Sequence, residues 1–325
     1  MPVRLFSVIA MLSLAVFGAH AQEKWQSLLS DNFEFNDFSK DSGLFYKMNK
    51  EQAKGVVRFQ SDVVKSGKQA LELSVVPSCA VSGTECSERA EVWEKPDILA
   101  PYDRPLWYAF SFRLGDPIPQ EDHRLVMAQW KREILKGADG NYSPFLALRL
   151  SRGRLIATVV SDEATYAPKG VSPRLNRCLE HESPAAAPDA HRQVRATVAM
   201  EAGLEVAAQE LPGCATNIRT ISRGGEWPKA SSGWIDYVFM VKPDPAGNGR
   251  IEIAANGKWV ATVEGAIGHR GPGLDKTQYF KFGPYRAGRP DKWTLYYDNF
   301  RRSGSCIDVA SQALCASMAA AQKSN

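Results

Sequence analysis

Short β-rich runs, several of them alternating apolar and polar residues with a period of two, recur along this chain, and no long helical stretches separate them. Strand side chains point to opposite faces in turn, so this alternation predicts strands with one buried face. It recurs over residues 70–76, 106–114, 124–131, 145–150 and 155–160, with Gly, Pro, Ser or Asp between the runs. Ser151-Arg152-Gly153-Arg154 reads as a hairpin turn between the last two. From 234 to 263 the pattern is clearest. Residues 234–241 end at Lys242-Pro243-Asp244-Pro245, 250–254 follow, and Asn256-Gly257 turns the chain into 258–263. Asn-Gly suits a two-residue hairpin because both positions tolerate positive φ. Residues 279–286 and 293–300 complete the set. Many short strands without intervening helices predict an all-β fold, an antiparallel two-sheet β-jelly-roll sandwich.

Two regions break the rhythm. Residues 176–225, rich in Ala, Pro and Arg, hold Cys178 and Cys214 and read as an insertion or long loop pinned by a disulfide. Residues 309–321 are Ala-rich and predict a short terminal helix. No repeat or linker calls for a second domain, so residues 22–325 are expected to form one.

The first 21 residues read as an address. Arg4 precedes an apolar run over 5–17, and Ala19-His20-Ala21 is a small-x-small cleavage site. That run is short for a bilayer span, and no later run approaches the length needed. An exported protein, periplasmic or secreted, is expected. All six cysteines follow the cleavage site. Six cysteines allow fifteen pairings; local pairs, Cys79–Cys86, Cys178–Cys214 and Cys306–Cys315, are the simplest. Neither Cys-x-x-Cys spacing nor a nearby histidine pair suggests zinc, so disulfides fit better.

At 44% hydrophobic residues the chain can bury a real core. A formal charge of +4 is too small to argue for nucleic acid but suits an acidic ligand if the cations share one cleft. The segment Gln278-Tyr279-Phe280-Lys281-Phe282-Gly283-Pro284-Tyr285-Arg286 carries the most chemistry. As a strand it puts Tyr279, Lys281, Gly283 and Tyr285 on one face and Phe280 and Phe282 on the other. A phenol beside fixed positive charge is what removing a proton next to a carboxylate requires. The plain alternative is an amphipathic strand with one wet face.

Three further pieces join it. Ser87-Glu88-Arg89-Ala90-Glu91-Val92 puts Arg89 and Glu91 on one face, where Arg89 can grip a carboxylate and Glu91 can hold a cation. Val126-Met127-Ala128-Gln129-Trp130-Lys131 puts an amide and an ammonium on one face, which would neutralise a sugar carboxylate. Tyr296-Tyr297-Asp298-Asn299 adds a carboxylate, Asp298, that reads as structural. The plain readings are a surface ion pair for Arg89 and Glu91 and solvent-facing residues for Gln129 and Lys131.

Arg-x-Glu, Gln-Trp-x, Tyr-Phe-Lys-x-Gly-x-Tyr-Arg and Tyr-Tyr-Asp-Asn, in this order, resemble the heparin lyase I/glucuronan lyase group of polysaccharide lyases, and more distantly the jelly-roll alginate lyases. The resemblance runs from about Phe33 to Arg302. It implies a concanavalin-like jelly roll that cleaves an acidic polysaccharide by β-elimination. It gives Tyr285 the catalytic role and Arg89, Gln129 and Lys281 substrate-binding or neutralising ones. Lys131, Arg286, Tyr279 and Glu91 join as substrate-binding candidates. A phenol of ordinary pKa needs cations beside it to serve as a base, and Lys281, Arg286 and Arg89 are the candidates. Related lyases often carry histidine where this chain has Lys131, and a lysine of ordinary pKa is protonated at neutral pH and cannot be the resting base. Among the mature histidines, His123, His181, His191 and His269, only His123 is marked by strand parity with Gln129, and it sits six residues away.

Two rival classes remain open. In a glycoside hydrolase, Glu85, Glu88, Glu91 and Glu94 would supply paired carboxyls; same-face partners such as Glu85 and Glu91 would lie roughly 20 Å apart along a strand, too far for either hydrolytic geometry. A non-catalytic sugar-binding sandwich would keep the aromatic and basic face without needing Tyr285. The chemistry requires no cofactor. The resemblance also implies a structural calcium, for which Asp298 with Glu34 or Asp37, helped by Asn36, would be the oxygen ligands. The expected partner is an acidic polysaccharide, with neither nucleic acid nor membrane, and the protein is expected to be a monomer.

Overall fold

The computed structural model describes residues 24–34, 44–50, 55–79, 83–121, 124–162 and 165–322. Residues 1–21, expected to be a signal peptide, and Asn36, Asp37 and His123 lie outside them. Two antiparallel sheets pack face to face, as the alternation predicts. One has nine described strands, running Ile218–Ser222, Lys258–Ile267, Asp244–Ala255, Ile235–Lys242, Leu106–Leu114, Trp293–Ser303, Ala70–Val75 and Gly55–Gln60, with Leu29–Asp31 added on Trp293–Ser303. The other has eleven. Its central run is Gln193–Met200, Arg154–Asp162, Leu146–Ser151, Leu125–Ile134, Leu274–Gly288 and Gly83–Glu94. The two predicted hairpins are present, with Arg152 and Asn256 at φ 49° in their turns.

Inner faces carry the apolar half of each alternation. Leu146, Leu148 and Leu150, Leu155, Ala157 and Val159, and Phe280 and Phe282 all enter one core. Trp130 is its aromatic hub, 4.7 Å from Phe280 and 4.8 Å from Phe239 between ring centroids. Such pairs add about 0.5–1.5 kcal/mol each beyond the area they bury. A one-residue bulge between Val126 and Ala128 resets the pleat, so Ala128 and Trp130 face the core while Gln129 and Lys131 face outward.

Residues 176–225 do not form a loop. They hold Ser183–Ala185, Gln193–Met200, the helix Leu204–Glu210, Gly213–Ala215 and Ile218–Ser222. The first two and the fourth extend the eleven-stranded sheet, and the last edges its partner. Val194, Ala196 and Val198 reach the core. Their small side chains, set among Ala and Pro, give a strand signal too weak to read alone. The Cys178–Cys214 disulfide ties this region, and Cys79–Cys86 and Cys306–Cys315 are also formed. The tail forms the helix Gln312–Gln322, whose Leu314 and Met318 pack with Trp107 and Met240.

Candidate active site

The outer face of the eleven-stranded sheet carries a cavity of about 480 Å³. Register assembles it. Tyr285 stands opposite Arg89 on one neighbouring strand and Val126 on the other, and Lys281 stands opposite Gln129 and Trp93. Gly283 makes this possible. Its φ of 123° is a conformation that favours glycine, and a Cβ there would lie 2.1 Å from the Ala90 carbonyl oxygen. Gly283 therefore turns against the neighbouring strand instead of continuing the outer row between Lys281 and Tyr285.

Arg89 lies over the Tyr285 ring at 3.8 Å and Arg124 at 4.9 Å. Glu91, fully buried beneath them, organises the floor. Its carboxylate accepts a short hydrogen bond from the Gln129 amide and one of 3.1 Å from the Lys281 ammonium. Burial holds Lys281 below the ordinary lysine value, with Glu91 pulling the other way. Lys131 shares the face without a carboxylate bonded to it. Burial, then repulsion from Lys281, brings it down to about 8. Lys131 therefore keeps its charge at neutral pH and loses it as the pH rises through about 8.

Six cations line the cavity: Arg89, Arg124, Lys131, Arg149, Arg195 and Lys281. No carboxylate lines it among the described residues. Tyr142, a second phenol at the rim, donates to Asp139 and is pushed up to about 12 by burial and that bond. The Tyr142 hydroxyl is thus engaged with Asp139, whereas the Tyr285 ring lies against Arg89 and Arg124.

The sequence profile of a family described as "Polysaccharide lyase" matches residues 31–301. The chain belongs to this polysaccharide lyase family. No curated protein matches it in sequence. The endo-β-1,4-glucuronan lyase of the fungus Trichoderma reesei superposes with a TM-score of 0.54 at 16% identity, covering 87% of this chain and 97% of the other. Cellulose-induced protein Cip1 gives 0.43 at 12% identity over 85% and 97%. Alginate lyase A1-II′, of polysaccharide lyase family 7, gives 0.39 at 13% identity over 75% and 82%. At these identities the likeness concerns the fold alone, and the two lower scores carry no argument.

The lyase brings Tyr285, Gln129, Arg89, Lys131 and Lys281 together at the cavity, and sets Glu91 beneath them as a positioning group. Tyr279 and Arg286 stand elsewhere. Tyr279 is 5% exposed and stacks on Trp93 at 5.3 Å, against which Lys281 also rests. Arg286 points inward, fully buried, and donates to Glu88 at 2.7 Å. Its parity is that of Phe280 and Phe282, so it cannot touch substrate. Glu94 is likewise internal, receiving Arg302 and the Phe280 N–H. The glutamates that suggested a hydrolase are therefore engaged in the core or on the floor, apart from Glu85, whose side chain is not described.

Asp298 and Glu34 are far from this face and meet one turn. Asp298 accepts the N–H groups of Lys65, Ser66 and Asn299, and Glu34 accepts those of Lys68 and Gln69. The two carboxylates therefore clasp this turn through its N–H groups, and Asp37 and Asn36, the other expected calcium ligands, lie outside the described residues. The cluster Cys178, Glu182 and Cys214 is a disulfide beside a carboxylate that Arg174 grips, which disposes of it as a metal site.

Arg124, Arg149, Arg195 and His191 also line the cavity and were not singled out from sequence. Arg149 and Arg195 each interrupt an apolar alternation (Leu-Ala-Leu-Arg-Leu, Val-Arg-Ala-Thr-Val), a signal that marks the outward face but not which cavity it meets. His269 is buried with Nε2 donating to the Ser143 carbonyl, and His181 is exposed.

Proposed function

We propose that this lyase cleaves a uronic-acid-containing polysaccharide by β-elimination, with Tyr285 moving the proton. A phenol enclosed by cations and an amide in a cavity without carboxylates is the observation that carries the reading. Arg89, Gln129, Lys131 and Lys281 neutralise the sugar carboxylate, which raises the acidity of the adjacent C5–H. Acting as the phenolate, Tyr285 takes the C5 hydrogen as a proton and becomes the phenol; the C–H pair forms the C4=C5 bond and the C4–O4 bond breaks. The same proton, returned from Tyr285, completes the leaving O4 hydroxyl. The balance needs no cofactor. Three disulfides and the leader at 1–21 support export to the periplasm or the medium.

One group that removes and then returns a proton serves an elimination in which C5–H and O4 share a side of the ring, as in glucuronate and mannuronate. Guluronate and iduronate place them opposite and need separate groups on two faces. Preference for glucuronate- or mannuronate-type linkages follows. The test is absorbance of the new double bond with glucuronan, mannuronate-rich and guluronate-rich alginate, hyaluronan and heparin. Reducing ends without that absorbance would refute elimination. Faster cleavage of guluronate blocks would refute the one-tyrosine argument and direct mutagenesis to His191 at the rim and to His123.

A further inference from the structure

The two fully buried arginines of this protein are matched by carboxylates, Arg286 by Glu88 and Arg302 by Glu94, and so are the half-buried Arg174, by Glu182, and Arg250, by Glu252 and Glu264. The match has a physical reason, since an uncompensated buried charge is costly. The cavity's far side departs from it. Arg149 donates through Nε to the neutral hydroxyl of Thr158 at 3.0 Å. Arg195 has its Nε buried with no hydrogen-bond partner. Arg124 donates to Ser87 Oγ and the Cys86 carbonyl, with its own Nε unpartnered. These guanidiniums also repel: Arg195 and Arg124 both push Arg149 down, after burial, from the ordinary arginine value. The acidic group that acts on Arg195 is Asp189, whose carboxylate already receives the N–H groups of His191 and Gln193.

The register fixes where this cluster stands. Tyr285 pairs with Val126, and Val126 with Arg149. Arg149 therefore sits two strands from Tyr285, roughly 10 Å across the sheet, on the side away from Arg89. We propose that Arg149 and Arg195, supported by Arg124, form an anion subsite for the charged group of a sugar neighbouring the one held at Tyr285. The group is a carboxylate or a sulfate ester, both flat or tripodal oxyanions that a guanidinium grips with paired hydrogen bonds. This rests on the reading that Tyr285 marks the cleavage position. A polymer with charge on successive residues fills both places; one that alternates charged and neutral sugars fills only one.

Binding without turnover separates the subsite from the reaction. In a Tyr285→Phe background, calorimetry would compare the parent with Arg149→Gln/Arg195→Gln on four short oligosaccharides: oligoglucuronate, hyaluronan, heparin and a carboxyl-reduced neutral chain. The substitutions should weaken oligoglucuronate or heparin at least tenfold, lessen the salt dependence of that binding, and leave the neutral chain unchanged. A larger loss on oligoglucuronate assigns the subsite to a carboxylate, and a larger loss on heparin assigns it to sulfate. Loss of equal size on hyaluronan, no loss at all, or no polyanion binding by the parent would overturn the proposal. Thermal unfolding supplies the second readout. Removing two repelling, desolvated cations should leave the melting temperature unchanged or raise it; a fall of several degrees would show that the arginines are structural and overturn the proposal. Failure of every polymer to be eliminated would refute the reaction while leaving this binding result to stand or fall alone.

Discussion

Replacing Lys131 with methionine tests whether a buried ammonium has been forced into the site. Its fall from 10.5 to about 8 corresponds to roughly 3 kcal/mol between its two protonation states; its partial exposure makes that an upper figure. Burial is the main cause, Lys281 and Arg89 add repulsion, and Glu91 and Glu133 oppose it. The sign follows from proton binding. Between pH 8 and 10.5 the unfolded chain holds a proton on this lysine that the folded one has released, so stability rises with pH through that window. Below pH 8 both states are charged and the full penalty is present. Lys131→Met should therefore gain up to about 3 kcal/mol at pH 7, on the order of 5 °C in melting temperature, with the gain shrinking towards pH 10.5.

Activity should move the other way. A neutralising ammonium is useful only while protonated, so kcat/KM should fall as pH rises through about 8, the value for the free enzyme. In kcat the limb should sit higher, because a bound carboxylate favours the charged form. Lys131→Arg keeps the charge and should abolish the limb, and Lys131→Met should be slow throughout. Stopped absorbance assays across pH 6–10, paired with thermal unfolding in the same buffers, check both halves. An unchanged limb in Lys131→Arg, or no gain in stability for Lys131→Met at pH 7, would refute the reasoning. Activity that rises through pH 8 and is lost in Lys131→Arg would make the neutral amine a base instead.

Tyr285→Phe keeps the ring between Arg89 and Arg124 but removes the proton carrier, so turnover should fall by roughly 10²–10⁴ while polymer binding persists; near-normal turnover would remove Tyr285 from the mechanism. Glu91→Gln leaves Lys281 without its buried counter-charge and loosens the Gln129 amide, and should lower kcat about tenfold or more, with little change in KM if its role is positioning; an unaltered kcat would dismiss that role. The mature oxidised protein should show no free thiol on titration under denaturing conditions, and two or more would contradict the three pairs. Cys178→Ala/Cys214→Ala should cost about 2–4 kcal/mol, because the bridge closes a long loop through the outer end of the site sheet; denaturant unfolding would reveal an unchanged midpoint if that is wrong.

What was legible in the sequence was the strand face, and what was not was the neighbour. Tyr285, Lys281, Gln129 and Arg89 could be grouped because each shares a short strand with apolar residues of opposite parity. Arg286 failed on the same rule, since its parity is that of Phe280 and its charge is answered by Glu88 inside the sandwich. A lone arginine at an inward position cannot be recognised as such until its carboxylate is found on another strand. Arg149 and Arg195 were missed for the converse reason: their outward parity is plain, but only sheet order brings strands 46 residues apart in sequence, by their numbers 149 and 195, to one cavity. The 176–225 region was misread because Ala and Pro dilute its alternation, and the core it completes is supplied by strands that precede it.

The cavity's charge balance explains why its support is so heavily built. At the cavity, Arg124, Lys131, Arg149 and Arg195 have no carboxylate bonded to them among the described residues; inside the sandwich, each of the glutamates Glu88 and Glu94 answers an arginine, and the aromatic hub around Trp130 fills the space beneath the floor. Under the proposed function the site grips a polyanion and cannot carry its own counter-ions, so its folded state bears repulsion that packing elsewhere has to offset. Glu91 is the single compromise. It lies below Gln129 and Lys281, out of the cavity lining, where it fixes their positions without offering negative charge to the substrate. Moving that carboxylate upward into the cavity would satisfy the cations and abolish the reason for having them.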